Sequence, residues 1–356
     1  MNPSVTSEPV TSEPVTSEPV TSEPVTSEPV IFESLKPDSS ETASSKQVLE
    51  DPTLPFLPRA YLGGRFIPFA QAQISVATHA LHYGTAVFGG VRGLPDPSHP
   101  ERILLFRLEA HCRRLSNSAK YLGYAVTPEC LQATLIEFVR LNQPKVPFYL
   151  RPLVYTSGLG IAPRLHQVEK DLLIYGLAMG DFLSQAGVRC RFSSWCRQED
   201  RSMPLRGKAS AAYIASALAK TEAVASGFDE AILMNAQGKV SEASAMNVFL
   251  VRNGQLITPG VDQDILEGIT RDSILTIARD LGIPIQERAV DKSELLIADE
   301  VFLCGTAAQI TPVLSIETYT LPDERPLTST LSARLKAAFE GRDPRYNHWL
   351  TQVQLS

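Results

Sequence analysis

Glu230-Ala231-Ile232-Leu233-Met234-Asn235-Ala236-Gln237-Gly238-Lys239-Val240-Ser241, followed shortly by Asn247-Val248-Phe249-Leu250-Val251-Arg252-Asn253-Gly254, decides what kind of sheet this chain builds. Short apolar runs at 230–234, 239–241 and 247–252 read as strands. The segments between and after them, Asn235–Gly238 and Asn253-Gly254, carry residue types that accept a positive φ in tight hairpin turns. Strands joined by such turns run antiparallel, unlike those of a doubly wound dinucleotide-binding sheet. No strand–G-x-G-x-x-G–helix unit and no G-x-x-x-x-G-K-[ST] occurs anywhere in the sequence. The fold class expected is therefore mixed α/β, or α+β, with largely antiparallel β-structure.

Working outward, the upstream half shows the same habit. Tyr61 to Pro68 reads as a hairpin about Gly63-Gly64. Val91–Leu94 and Ile103–Phe106 read as strands joined by the Pro-rich loop 95–100. Leu108, Cys112, Leu115, Ala119 and Leu122 recur at helical spacing. Thr127-Pro128-Glu129 supplies an N-cap, a first-turn Pro and an acid, which open a helix to about Leu141. Strands follow at 148–156 and 171–178. The pattern breaks at 180–187, an expected linker. Beyond it are expected a strand at 188–194, helices at 210–226 and 269–281, a strand near 284–289, a short helix from Asp291, a strand at 300–304 and a helix from about 330. The organisation expected is a tail at 1–52, a small α/β domain at 53–179, a larger one at 188–345 and a C-terminal tail at 346–356.

Composition narrows the function classes. The chain has 356 residues, 44% of them hydrophobic, enough for one large domain or two ordinary ones. It has no apolar run long enough to span a membrane and no secretory signal pattern at the N-terminus. Its five cysteines lack any C-x-x-C pair. They read as reduced thiols of a cytoplasmic protein, without a disulfide frame or a metal site. Residues 5–29 are five copies of Val-Thr-Ser-Glu-Pro, whose regular prolines forbid a helix, so 1–52 is expected to be disordered. That segment holds eight Glu, two Asp and two Lys, a net of −8, so the total of −6 leaves the remainder near +2. Such a balance does not suggest nucleic-acid binding.

One acid stands out within the deciding stretch: Glu242, set among small and apolar neighbours. Upstream lies Lys208, in Arg206-Gly207-Lys208-Ala209-Ser210-Ala211-Ala212-Tyr213. An amine and a carboxylate so placed suit two parts of a pyridoxal phosphate site. The amine forms a Schiff base, and the acid keeps the pyridine nitrogen protonated. Alone, a Lys after a loop is more often a solvated surface residue. An anion seat is available where Gly268-Ile269-Thr270-Arg271-Asp272 opens a helix, and Gly305-Thr306-Ala307-Ala308 forms a second small-residue turn. Arg107, at a helix start where a cation is unfavourable, points to an anionic partner or to a surface ion pair. Tyr213 is either a hydrogen-bond partner of the cofactor ring or an ordinary packed aromatic. Strand alternation puts Tyr149 and Arg151 on one face, a pair suited to a carboxylate.

Leu81-His82-Tyr83-Gly84-Thr85-Ala86-Val87-Phe88-Gly89-Gly90-Val91-Arg92, Tyr149-Leu150-Arg151-Pro152, Lys208, the 241–249 stretch, Leu266–Asp272 and Gly305–Ala308 together resemble the branched-chain amino acid aminotransferases of class IV, fold type IV, in order and spacing over about 55–345. That resemblance implies two domains with the active site between them and pyridoxal phosphate held on Lys208. It implies Glu242 at the ring nitrogen and Tyr213 at the ring oxygen. Arg107, Ile269, Thr270 and Thr306 would bind the phosphate. Thr306, Ala307, Tyr149 and Arg151 would receive substrate carboxylates, and Tyr83 and Phe88 would wall an apolar pocket. Substrates would be L-leucine, L-isoleucine and L-valine, with 2-oxoglutarate and L-glutamate. The loop Gly158–Ala162 would reach a neighbouring subunit, implying at least a dimer. Gly89 and Met246 depart from the usual pattern, where Glu is common, and bear on substrate preference. D-amino acid transaminases and aminodeoxychorismate lyases share the Lys and Glu, and a non-catalytic scaffold using the repeat tail is the reading from another class.

Overall fold

Gly63 and Gly64, at φ 61° and 75°, let β1 (Arg59–Leu62) turn at once into β2 (Arg65–Pro68). This hairpin begins a computed structural model that describes residues 56–180 and 187–355. The repeat-bearing segment 1–52, the chain's last residue and most of the expected linker, 181–186, lie outside the described residues.

After the hairpin come α1 (His79–Tyr83), β3 (Ala86–Phe88), β4 (Val91–Asp96), β5 (His99–Phe106), α2 (Leu108–Lys120), α3 (Pro128–Asn142), β6 (Phe148–Thr156) and β7 (Lys170–Ala178). The second half runs β8 (Val188–Phe192), α4 (Tyr213–Ala225), β9 (Glu230–Met234), β10 (Val240–Ala243), β11 (Asn247–Arg252), β12 (Gln255–Thr258), α5 (Ile269–Asp280), β13 (Ile285–Glu287), α6 (Lys292–Leu296), β14 (Glu300–Gly305), β15 (Gln309–Ile316), β16 (Tyr319–Thr320), α7 (Pro326–Phe339) and β17 (Leu350–Gln354).

Two sheets result. The first has the order β17-β5-β4-β6-β7-β1-β2, with β3 also on β6; all of its pairings are antiparallel. The second has the order β10-β9-β8-β15-β14-β11-β12-β13, with β16 on β15. Only β8–β9, β8–β15 and β12–β13 run parallel there. The fold is thus mixed α/β with antiparallel-rich sheets. Asn253 and Gly254 both take positive φ, 51° and 73°, between β11 and β12. Asn235 closes the other turn by accepting from Gln237 N (3.1 Å) and Lys239 N (2.9 Å) through Oδ1.

The helical spacing read in the sequence has a clear outcome: Leu108, Cys112, Leu115, Ala119 and Leu122 are all buried in the core of the first sheet. Thr127 caps α3 by accepting from Cys130 N. A second cluster spans both sheets, joining Leu94, Leu104 and Phe106 to Phe249, Phe302, Ile274 and Leu335. Phe249 and Phe302 stack at 5.0 Å. Truncating either to Ala would cost about 3–5 kcal/mol.

The strands at 91 and 103 extend further than expected, so that only Pro97 and Ser98 separate β4 from β5. Residues 346–356 were expected as a tail. Instead Tyr346 and Trp349 are buried, and β17 pairs antiparallel with β5 from Leu350↔Phe106 to Gln354↔Arg102. Burial of one strand edge, with its ladder hydrogen bonds, outweighs the polar composition of Thr351-Gln352-Val353-Gln354. Among the described residues no helix is long and apolar enough to cross a membrane.

Candidate active site

Lys208 is gripped through its backbone. Phe88 N donates to Lys208 O (3.0 Å), Lys208 N donates to Ser118 Oγ (3.2 Å), and Val87 bridges to Ala209. A strand of the first sheet and the end of α2 therefore fix a residue that precedes α4. Gly207 is required here, because a Cβ would lie 2.7 Å from the Tyr121 ring. The Lys208 side chain lines a small recess together with Arg114, Arg197, Tyr213, Glu242, Thr270 and Thr306.

Lys208 Nζ donates to Tyr213 Oη at 2.5 Å and stands 5.1 Å from the Phe88 ring centroid. Burial, with the Arg114 guanidinium nearby, holds its pKa well below the usual lysine value. The amine is thus uncharged at lower pH than a surface lysine. Burial likewise pushes the Tyr213 phenol up, so it stays protonated and can serve as both donor and acceptor.

Glu242 is braced on every side. Arg197 Nη2 lies 2.6 Å from its Oε1, while Asn247 Nδ2 (3.1 Å) and Leu266 N (3.0 Å) donate to Oε2. Both members of the ion pair are buried. Arg197 Nε also donates to Asp264 O at 3.3 Å. A carboxylate so held is fixed in place, ready for a cationic ring nitrogen.

Gly268 precedes α5. A Cβ there would come within 2.0 Å of Asn247 Oδ1, so Gly268 keeps the helix start against the Glu242 cluster. Ile269 and Thr270 then bring the N-terminal turn of a 12-residue helix to the cavity, beside Arg114. Backbone amides, a hydroxyl and a guanidinium make an anion seat. Thr306 reaches the same cavity from the turn between β14 and β15.

Lys208, Tyr213, Glu242, Ile269, Thr270 and Thr306 are therefore brought together. Arg107 is not among them. It takes the left-handed region (φ 53°) as N-cap of α2 and pairs instead with Asp272 (2.6 Å) and Ser273 Oγ (3.1 Å), over the Trp349 ring at 4.8 Å. In its place at the anion seat stands Arg114, two helical turns further along α2. It donates to Glu267 O at 3.0 Å. Arg197 and Asn247 were likewise missed; only the polar Asn247 so near Glu242 offered a sequence signal.

Of the remaining predicted residues, Phe88, Tyr149 and Arg151 form a separate group. Arg151 lies between the rings of Phe88 (4.6 Å) and Tyr149 (5.1 Å), and its buried Nε has no hydrogen-bond partner. Phe88 also packs on Tyr213 at 4.9 Å, which joins this group to the Lys208 cluster. Gly90 leaves room for the Tyr149 hydroxyl, which a Cβ would meet at 1.8 Å. Tyr83 does not line the recess; it packs on His79 and its hydroxyl donates to Ile161 O, in the loop 158–162. Ala307 accepts from Arg92 Nη1 at 2.9 Å through its carbonyl.

The class IV aminotransferase family matches residues 98–316. The chain belongs to the class IV aminotransferases. It is 66% identical over 301 residues to a protein of Synechocystis sp. named as a probable branched-chain-amino-acid aminotransferase, covering 85% of this chain and 99% of that one. Among solved structures, the branched-chain aminotransferase of Thermoproteus uzoniensis with norvaline has a TM-score of 0.80 at 38% identity, covering 84% of this chain and 99% of the other. The holo-form of the branched-chain amino acid aminotransferase of Thermobaculum terrenum has a TM-score of 0.79 at 35% identity, covering 84% and 99%. Class IV aminotransferases use pyridoxal phosphate. The donor set of this aminotransferase fits that group, with a buried amine of lowered pKa, an anion seat and a braced carboxylate around one recess.

Proposed function

We propose that this chain transfers the amino group of L-leucine, L-isoleucine or L-valine to 2-oxoglutarate, giving the branched 2-oxo acid and L-glutamate. The observation that carries the reading is the Lys208 amine, bonded to Tyr213, sharing one recess with a carboxylate locked by Arg197 and Asn247. The names of the similar proteins support the substrate class.

Each side chain has a proposed task. Arg114, in place of Arg107, would hold the phosphate with the Ile269 and Thr270 amides and Thr306. Glu242 would hold positive charge at the ring nitrogen, and Tyr213 would bond the ring oxygen. When bound, pyridoxal phosphate supplies an electron sink that makes the substrate's α-hydrogen acidic. Lys208 Nζ, its pKa lowered by burial and its position steered by Tyr213, would take that proton and hold it. The amides of Thr306 and Ala307 would receive the α-carboxylate. Phe88 and Tyr149 offer an apolar wall to a branched side chain, and Arg151 between them offers its guanidinium to the second carboxylate of glutamate.

A second copy of the chain is the proposed partner. Val76 (83% exposed), Leu81, Leu159 and Ile161 (93%) present apolar side chains to solvent beside Tyr83. Such a cluster supports at least a dimer. The halves 53–179 and 188–345 are proposed as small and large domains with the site between them. A cytoplasmic location suits five free thiols.

The test is the visible spectrum of the holoenzyme. Its absorption band should bleach with L-leucine and return with 2-oxoglutarate. A band that answers only to D-alanine would overturn the substrate class, and no band after incubation with the cofactor would overturn the assignment of Lys208.

A further inference from the structure

The hairpin turn between β14 and β15 consists of Thr306, Ala307 and Ala308. Gly305 pairs with Gln309 across it, and Gln309 takes the left-handed region (φ 55°). Gly305 and Thr306 line the central recess, and the same two residues also line a smaller cavity behind it. The turn is therefore a thin wall with a space on each side.

Arg92 stands on the rear side. It lies on β4 opposite Tyr149, is 5% exposed and borders the rear cavity, not the central one. Its guanidinium donates to Ala307 O at 2.9 Å and to Gly180 O at 2.8 Å, and it sits 5.6 Å from the Phe339 ring centroid. A trans peptide carries its C=O and N–H on opposite sides. Holding the Ala307 carbonyl from behind thus fixes the 307–308 peptide plane, and with it the conformation of the short turn that carries the Thr306 and Ala307 amides. A charged donor also polarises the peptide it binds and gives a stronger bond than a neutral one.

We propose that Arg92 is a positioning residue for the substrate carboxylate, acting through the Thr306–Ala307 turn that it clamps from the rear cavity. The inference rests on the proposed reading that this turn receives the carboxylate. Arg92's planar fork reaches two carbonyls at once, which a lysine's single ammonium on a flexible stem does not reproduce.

Two ligands separate this role from a merely structural one. 4-Methylvalerate keeps leucine's side chain and carboxylate without the amine, whereas 3-methylbutylamine keeps the side chain and amine without the carboxylate. Both are titrated spectrally into native, Arg92→Gln and Arg92→Lys holoenzymes. Arg92→Gln should weaken 4-methylvalerate about 10–100-fold, with Arg92→Lys recovering part of the loss. Binding of 3-methylbutylamine, which lacks the group the turn receives, should stay within about twofold, and cofactor binding, anchored also by Arg114 and the amides of α5, should change far less than that of 4-methylvalerate. Unchanged 4-methylvalerate binding in both variants overturns the proposal. So does an equal loss of both ligands, or a loss of cofactor in both variants. If the native enzyme itself fails to bind 4-methylvalerate while 3-methylbutylamine binds, the carboxylate reading of the turn fails, and this inference fails with it.

Discussion

The wall around Glu242 and the wall around Arg151 treat buried charge in opposite ways. Glu242 has three partners within hydrogen-bond reach, and its arginine has a further one. Arg151 is flanked by two aromatic rings and keeps an Nε without a partner. A satisfied cluster is rigid before anything binds, whereas an underused guanidinium is poised for an incoming anion. The first wall is thus built for a permanent resident, and the second for visitors that differ in charge.

The largest expected effect lies on the first wall. Lys208→Ala should lower the leucine half-reaction by about 10⁴-fold, the upper range for loss of a positioned base, while the protein still binds cofactor. Stopped-flow bleaching measures this, and retained turnover would remove Lys208 from the chemistry. Glu242→Gln should follow. It leaves Arg197 buried without its counter-charge, at a cost of about 3–5 kcal/mol in stability, and calorimetry should find a lowered Tm alongside slower turnover.

On the second wall the effect should be selective. Arg151→Met is expected to raise KM for 2-oxoglutarate about tenfold to a hundredfold, the range for one charged hydrogen-bonding partner, with leucine changed by less than about threefold. Equal changes for both substrates would erase the distinction between the walls. Smaller still is the contrast between two arginines of one helix region. Arg114→Gln should weaken cofactor binding about tenfold, and Arg107→Gln should leave it nearly unchanged. Equilibrium titration of the apoenzyme decides between them.

The last effect concerns pH. In the apoenzyme Lys208 has a depressed pKa, so below about 10.4 the unfolded chain binds a proton that the folded chain releases. Stability therefore rises with pH between the folded and unfolded values, and the lowered affinity for the proton is a cost that is greatest at lower pH. Apo Lys208→Met should be more stable than the native apoprotein near neutrality, with the difference vanishing in alkali. Denaturant midpoints across pH check this.

These contrasts also explain what could be read in advance. Lys208 and Tyr213 were legible from the small residues that lead into a helix start, and Glu242 from its small and apolar neighbours along a strand. The Asn253-Gly254 turn and the Thr127 cap were legible for the same reason, since their physics spans a few residues. Arg107 and Arg114 illustrate the opposite case. Both are long cations close to α5, and only the left-handed backbone at Arg107 and the pairing with Asp272 turn one of them away. Arg92 and Ala307 lie 215 residues apart, and no local pattern reports such a contact.

Consider finally β17. Gln352 accepts from Arg102 across 250 residues of sequence, and the strand closes the edge of the sheet from which α2 and Arg114 emerge. On a ribosome, β5 leaves the exit tunnel long before its neighbour has been translated. With synthesis at about 5–20 residues per second, that edge stays open for roughly ten seconds or more. Nascent chains of this enzyme thus carry an unpaired strand beside the emerging cofactor arginine for most of their translation, a window in which chaperone capture or edge-to-edge aggregation competes with assembly.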